Sequence, residues 1–280
     1  MASFRAMSTQ VNLLCPTQTA REEQLLAHFV AELFQAAESR FSRFRADSEL
    51  SRLNRDAELQ TSAQLSAALA RAEQYRLLTA GLFDIRVGQA LTRCGYDRSF
   101  QPGALDRAEP PGPPEPEPSR SLDLGGMIKG HAVDCARALL PACSVLDAGG
   151  DLALVGAGPD GRGWPVEIED PRNPEATLVT LRLADCAVAT SAANRRSWQR
   201  AGKRQHHLID PRTQRPSQSD LLQATVVARS TELAEVLAKA AFIGGSEVAR
   251  RLMRACDTQG VFVREDGSWF AIGELEVDRG

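Results

Sequence analysis

The chain has 280 residues, 43% of them hydrophobic and 25% charged, with 33 basic and 36 acidic side chains for a net charge of −3. Such a chain folds as one large globular domain or two interlocked ones. The balance excludes a general electrostatic grip on nucleic acid, and no apolar run approaches the roughly 20 residues of a membrane span.

The first residues carry no basic stretch ahead of a long apolar one, so no secretory signal is expected and the protein is placed in the cytoplasm. By the same token Cys15 is not expected to be a lipid attachment site. The six cysteines are scattered and form no C-x-x-C pair, which argues for buried thiols rather than zinc ligands or a disulfide framework. Only three basic residues are lysine, Lys129, Lys203 and Lys239, so each merits attention.

Residues 19–40 repeat apolar side chains with a helical period at Leu26, Phe29, Val30, Leu33 and Phe34. Thr19, with Glu22 three residues on, forms a capping box ahead of them. Between this helix and a second at 62–79 (Leu65, Leu69, Ala72, Leu77) lies 41–55, polar and expected to be irregular. Residues 101–120 are rich in Pro and Glu and read as a mobile loop. Strands are expected at 144–148, 152–156, 164–168, 177–183, 186–190 and 222–228. Helices follow at 231–243, closed by Gly244-Gly245, and from Ser246 to Cys256. Two last strands, 260–264 and 268–272, flank a turn at Asp266-Gly267. No internal repeat is visible. Strands and helices mix without strict alternation, so the fold class is α+β.

Four segments hold side chains suited to chemistry. LDLGGMIKGHAVD (122–134) places two glycines before a helix, where backbone amides and the helix dipole favour an anion. LDAGGDLALVG (146–156) is a strand, a tight turn and a strand, with Asp147 and Asp151 at the turn. QHHLIDPRTQRP (205–216) sets two adjacent histidines before an Asp-Pro turn, and neighbouring strand side chains face opposite ways, so one of the two enters a given pocket. STELAEVLAKAAF (230–242) puts Glu235 and Lys239 on one helix face, as an i, i+4 ion pair or as site residues. No G-x-S-x-G or H-E-x-x-H occurs, which excludes the common serine-hydrolase and zincin arrangements.

Taken in order, FSRFRADSELSRLN (41–54), AGLFDIRVGQAL (80–91), LDLGGMIKGHAVD (122–134), DAGGD (147–151), VATSAANRR (188–196), HLIDPRT (207–213) and the 231–245 helix resemble the FAD:protein FMN transferase (ApbE-like) family. The resemblance implies one T-fold-like α+β domain over 1–280, with a helix-rich part (1–100), the Pro-rich loop and a mixed part (121–280). It implies transfer of FMN from FAD to a threonine of an acceptor protein, with release of AMP. FAD contacts are implied at Met7, Phe44 (where tyrosine is common), Leu82, Phe83, Asp84, Asp123, Lys129, Ser191 and Leu208, and His207 is implied as the base. The family's Mg²⁺ position maps onto Gly126, Glu235 and Lys239. Here the sequence departs from the family: Glu235 and Lys239 stand where Asp and Thr are usual, and a charged lysine repels the ion. Gln214 and Ala192 stand where glycine is usual. A working transferase with Lys239 in the ion's place, an impaired FAD-binding relative, and a non-flavin interaction domain on the same scaffold all remain open from the residues.

Overall fold

The computed structural model describes residues 1–101, 103–109 and 121–278. The chain opens with a hairpin that the sequence reading did not anticipate, β1 (Ala2–Ala6) and β2 (Thr9–Leu14). Val11 and Leu13 alternate into the core, and Met7 and Ser8 make the turn with positive φ.

Helix α1 (Ala20–Phe41) starts at the expected capping box: the Thr19 hydroxyl accepts from the Glu22 amide, and Glu22 accepts from the Thr19 amide. Its buried stripe runs Ala27, Val30, Phe34, Ala37, Phe41, whereas Phe29 is 47% exposed. Segment 41–55 is not irregular throughout. Ser48 accepts from the Ser51 amide and starts a short helix, α2 (Glu49–Arg55), in which arginine is a good helix former. Helix α3 (Ala63–Leu78) is capped by Ser62 and buries Leu65, Ala68 and Ala72, while Leu77 points outward. Helices α4 (Gly88–Arg93) and α5 (Ile128–Arg137) follow. Of the Pro-rich stretch, residues 102 and 110–120 lie outside the described residues. Within 103–109, Leu105 is fully buried beside Trp198 and Tyr96, so that part is packed rather than loose.

The remaining elements are β3 (Ser144–Ala148), β4 (Leu152–Val155), β5 (Trp164–Asp170), β6 (Asn173–Leu183), β7 (Ala187–Ala192), β8 (Ser197–Arg200), β9 (Lys203–His206), β10 (Ile209–Asp210), β11 (Arg215–Pro216), β12 (Leu221–Ala228), α6 (Thr231–Gly244), α7 (Ser246–Ala255), β13 (Gln259–Arg264), β14 (Trp269–Ile272) and β15 (Val277–Asp278). Eight strands form one antiparallel sheet in the order β1-β2-β3-β4-β7-β12-β13-β14. This order contains the same element sequence twice: two strands, helices, two strands. The repeat is one of topology and is invisible in the residues. Side chains alternate across the sheet, as strand geometry requires. Ala189, Val226 and Phe262 join the helix-side core under α6 and α7. Val188, Val227 and Val261 face the small sheet β15-β6-β5 on the other side.

Helices α5 and α6 meet more closely than ordinary side chains permit. A Cβ on Gly130 would lie 2.7 Å from the Glu232 backbone. Asp134 of α5 accepts from the Thr231 and Glu232 amides at the start of α6 (2.7 and 2.9 Å). Glu232 in turn is buried against Arg71 and His131 (2.9 and 3.0 Å). Replacing a helical glycine by alanine ordinarily stabilises. Here the added methyl meets backbone, so Gly130→Ala is expected to destabilise by about 1–3 kcal/mol, read as a lower urea midpoint; a raised midpoint would show that the helices can part without cost.

Candidate functional site

The glycine-rich loop before α5, the C-terminal half of α6 and the 188–209 stretch enclose a cleft beside the large sheet. Three cavities meet there, with volumes of 1160, 80 and 70 Å³. Gly125 and Arg196 border all three. His207 and Lys239 border both the largest and the one lined by Phe44, Leu82, Phe83 and Asp84. Met7, Phe44, Asp123 and Lys129 share the third, and Ser191 and Glu235 lie on the largest. The residues singled out in the sequence are therefore gathered around one cleft, with one exception. Leu208 is fully buried in the core beneath α6 and borders none of these cavities.

Several of these side chains are already committed. Asp84 takes a two-pronged ion pair from Arg86 (2.5 and 2.9 Å). Asp123 is paired with Arg43 and accepts from the Gly125 amide at 2.5 Å, which shapes the loop. Lys129 contacts Asp151 at 2.6 Å and donates to the Ala148 carbonyl at 2.9 Å. Burial raises the Asp151 carboxyl, and the Lys129 charge opposes that rise.

Glu235 does not pair with Lys239. Its Oε2 accepts from the Gly130 amide at 2.8 Å. That amide lies in the first turn of α5, where backbone donors lack partners inside the helix. Glu235 is thus a cap supplied by another helix. Burial, then the neighbouring Asp151, pushes its carboxyl up to about 7.

The Lys239 nitrogen rests against Gly126: a Cβ there would lie 1.9 Å from Nζ. Burial pulls the Lys239 ammonium below the usual lysine range, while Glu235, Asp123 and Asp151 act the other way. These residues do not fit Mg²⁺. The carboxylate is engaged by an amide, and an ammonium occupies the space beside Gly126. Among the described residues, no group of three or more His, Cys, Asp or Glu is placed to hold a metal ion.

The two histidines divide as alternation predicts. His206 donates from Nε2 to the Ser217 carbonyl (3.1 Å), accepts the Leu208 amide at Nδ1 (3.3 Å), and packs on Phe242. It is a satisfied structural residue, and burial holds it down to about 4. His207 contacts the Arg196 carbonyl through Nδ1 at 3.3 Å. A carbonyl only accepts, so Nδ1 carries the proton and Nε2 is left as a lone-pair acceptor. Burial, then the charges of Arg196 and Lys239, hold His207 well below the usual imidazole range.

Sequence reasoning passed over Arg196, one arginine among thirty, although it lies inside a quoted segment. It also passed over Tyr96, whose hydroxyl accepts from Arg196 at 3.2 Å and whose ring stacks on Trp198. Phe44 and Tyr96 meet edge to face, with Arg43 over both rings. Gln214 holds φ +55°, so the backbone keeps the left-handed turn that glycine would favour. Among the described residues, no helix is long and apolar enough to cross a membrane.

The ApbE family model matches residues 7–262, and the chain belongs to that family. It is 30% identical over 179 residues to the FAD:protein FMN transferase of Treponema pallidum, spanning 59% of this chain and 49% of that protein. It is 26% identical over 243 residues to the FAD:protein FMN transferase of Vibrio cholerae, spanning 78% of this chain and 73% of that one. The fold superposes on the flavin transferase ApbE from Vibrio cholerae with a TM-score of 0.78 at 24% identity, covering 96% of each chain. The ApbE protein from Thermotoga maritima gives 0.78 at 22%, over 96% of this chain and 95% of that one.

His206 sets an acid limit on stability. Its folded value of about 4 lies below the ordinary 6.5, so the unfolded chain binds more protons between those values. Its contribution is complete above pH 6.5 and lost as pH falls through 4, a span of about 3 kcal/mol. Urea titrations at pH 7 and pH 4 should show a smaller acid loss in His206→Gln than in the parent; equal losses would mean that His206 is not held neutral.

Proposed function

We propose that this protein moves the FMN half of FAD onto a threonine hydroxyl of an acceptor protein and releases AMP. The observation that carries this reading is the neutral His207, its Nδ1 fixed by the Arg196 carbonyl and its Nε2 free of any hydrogen bond among the described residues, at a cavity of 1160 Å³. Family membership supports it, as do relatives named for this reaction.

The threonine oxygen attacks the FMN-side phosphorus of the diphosphate. A new O–P bond forms, the bridging P–O bond breaks, and AMP leaves with the bond's electron pair. His207 Nε2 takes the threonine proton, a task suited to a neutral imidazole at a pH above its own value. The loop ahead of α5 takes the diphosphate at Gly125 and Gly126, which border one cavity together with Lys239 and Arg196. Phe44 and Tyr96 offer aromatic faces to a flavin or adenine ring. Asp123, held by Arg43, fixes the loop. No step is assigned to a metal ion, because Glu235 and Lys239 do not suit one.

A binding-only role is the weaker reading, since it leaves the oriented base without a task. Incubation of purified protein with FAD and a threonine-bearing acceptor should add an FMN-sized mass to the acceptor. His207→Ala should lower that transfer by about 10²–10⁴-fold while FAD still binds; loss of FAD binding in the variant would make His207 a structural residue instead.

A further inference from the structure

We propose that Lys239 and Arg196 form a fixed pair of cations that clamps the diphosphate of the bound dinucleotide, so that this protein holds its donor without a divalent ion. The inference rests on the transferase reading and adds to it how the donor is bound.

Four observations lead there. First, the acids beside the glycine loop are spent. Glu235 caps the Gly130 amide (2.8 Å), Asp151 is paired with Lys129 (2.6 Å), and Asp123 with Arg43. Second, the Lys239 nitrogen has no hydrogen bond or ion pair among the described residues, although it lies within the field of those acids. It sits at the junction of two cavities, beside Gly126. Third, Arg196 borders all three cavities and, among the described residues, its side chain donates one hydrogen bond, to the Tyr96 hydroxyl at 3.2 Å. Its guanidinium has five donors in all, so the fork retains capacity for phosphate oxygens. Fourth, two like charges that face one cavity repel each other, and a ligand with two adjacent negative charges removes that repulsion.

The two side chains suit different parts of such a ligand. A guanidinium engages two oxygens of one phosphate in its plane, while an ammonium acts as a compact point charge. Arg196 also presents its own carbonyl to His207. The residue that grips the diphosphate therefore also orients the base, and these two functions are separable because one uses the side chain and the other the backbone.

The test is calorimetric titration of the full chain with FAD and with riboflavin, in EDTA and in Mg²⁺. The parent protein should bind FAD with the same Kd in both buffers, within about twofold. Lys239→Met and Arg196→Met should each weaken FAD by about tenfold or more, the usual consequence of losing a charged hydrogen bond. Neither should change riboflavin binding, because riboflavin lacks the diphosphate. A tenfold or larger gain in FAD affinity on adding Mg²⁺ would overturn the proposal, as would variants that bind FAD like the parent or lose riboflavin equally. Failure of the parent to bind FAD in either buffer would instead overturn the transferase reading, and the clamp with it.

Discussion

The contact between α5 and α6 is the constraint on which the site depends. Gly130 admits the α6 backbone, Asp134 caps the α6 start, and Glu235 caps an orphan amide of α5. Each helix thus supplies what the other's end lacks. The glycine loop runs straight into α5, and Lys239 lies one turn beyond Glu235 on α6. Locking the helices therefore fixes the Lys239 nitrogen against Gly126. The cleft inherits its geometry from a backbone contact made of one absent side chain and two carboxylates.

That lock also explains the electrostatics of the cleft. A buried carboxylate is tolerated when hydrogen-bonded or paired. Here each acid near the loop has found an amide or a cation inside the protein. Beside the glycine loop, Lys239 and Arg196 reach the open space with no acid partner among the described residues, next to the neutral imidazole of His207. Such a surface attracts anions and gives a divalent cation little to coordinate. The two adjacent histidines extend the same logic, since His206 spends both ring nitrogens on structure and His207 spends one.

Much of the fold was legible in the residues. The Thr19 and Glu22 capping box, the helical periods and the strand expected at 177–183 all marked elements that form. The helix at 49–55 was masked by its polar composition, because its start depends on one serine hydroxyl at Ser48. The opening hairpin and the short pair of β8 and β9 were missed for a related reason: only a few residues of each turn inward. The doubled topology of the large sheet leaves no trace in residue identity, since unlike segments can satisfy the same packing. At the site, most of the residues named from the family resemblance line one cleft. Leu208 proves to be core. The spacing of Glu235 and Lys239 suggested a pair on one helix face, yet Glu235 turns to Gly130, a partner 105 residues away in the chain that no local pattern reveals. Arg196 could not be told from the other arginines until the cavities met beside it.

The most direct measurement is a crystal structure of this protein with FAD, grown in the presence of Mg²⁺. The account predicts the Lys239 nitrogen and the Arg196 guanidinium at about 3 Å from diphosphate oxygens, with Glu235 still on the Gly130 amide. An octahedrally coordinated ion between Gly126 and the diphosphate, with Lys239 turned away and Glu235 swung onto the metal, would contradict it.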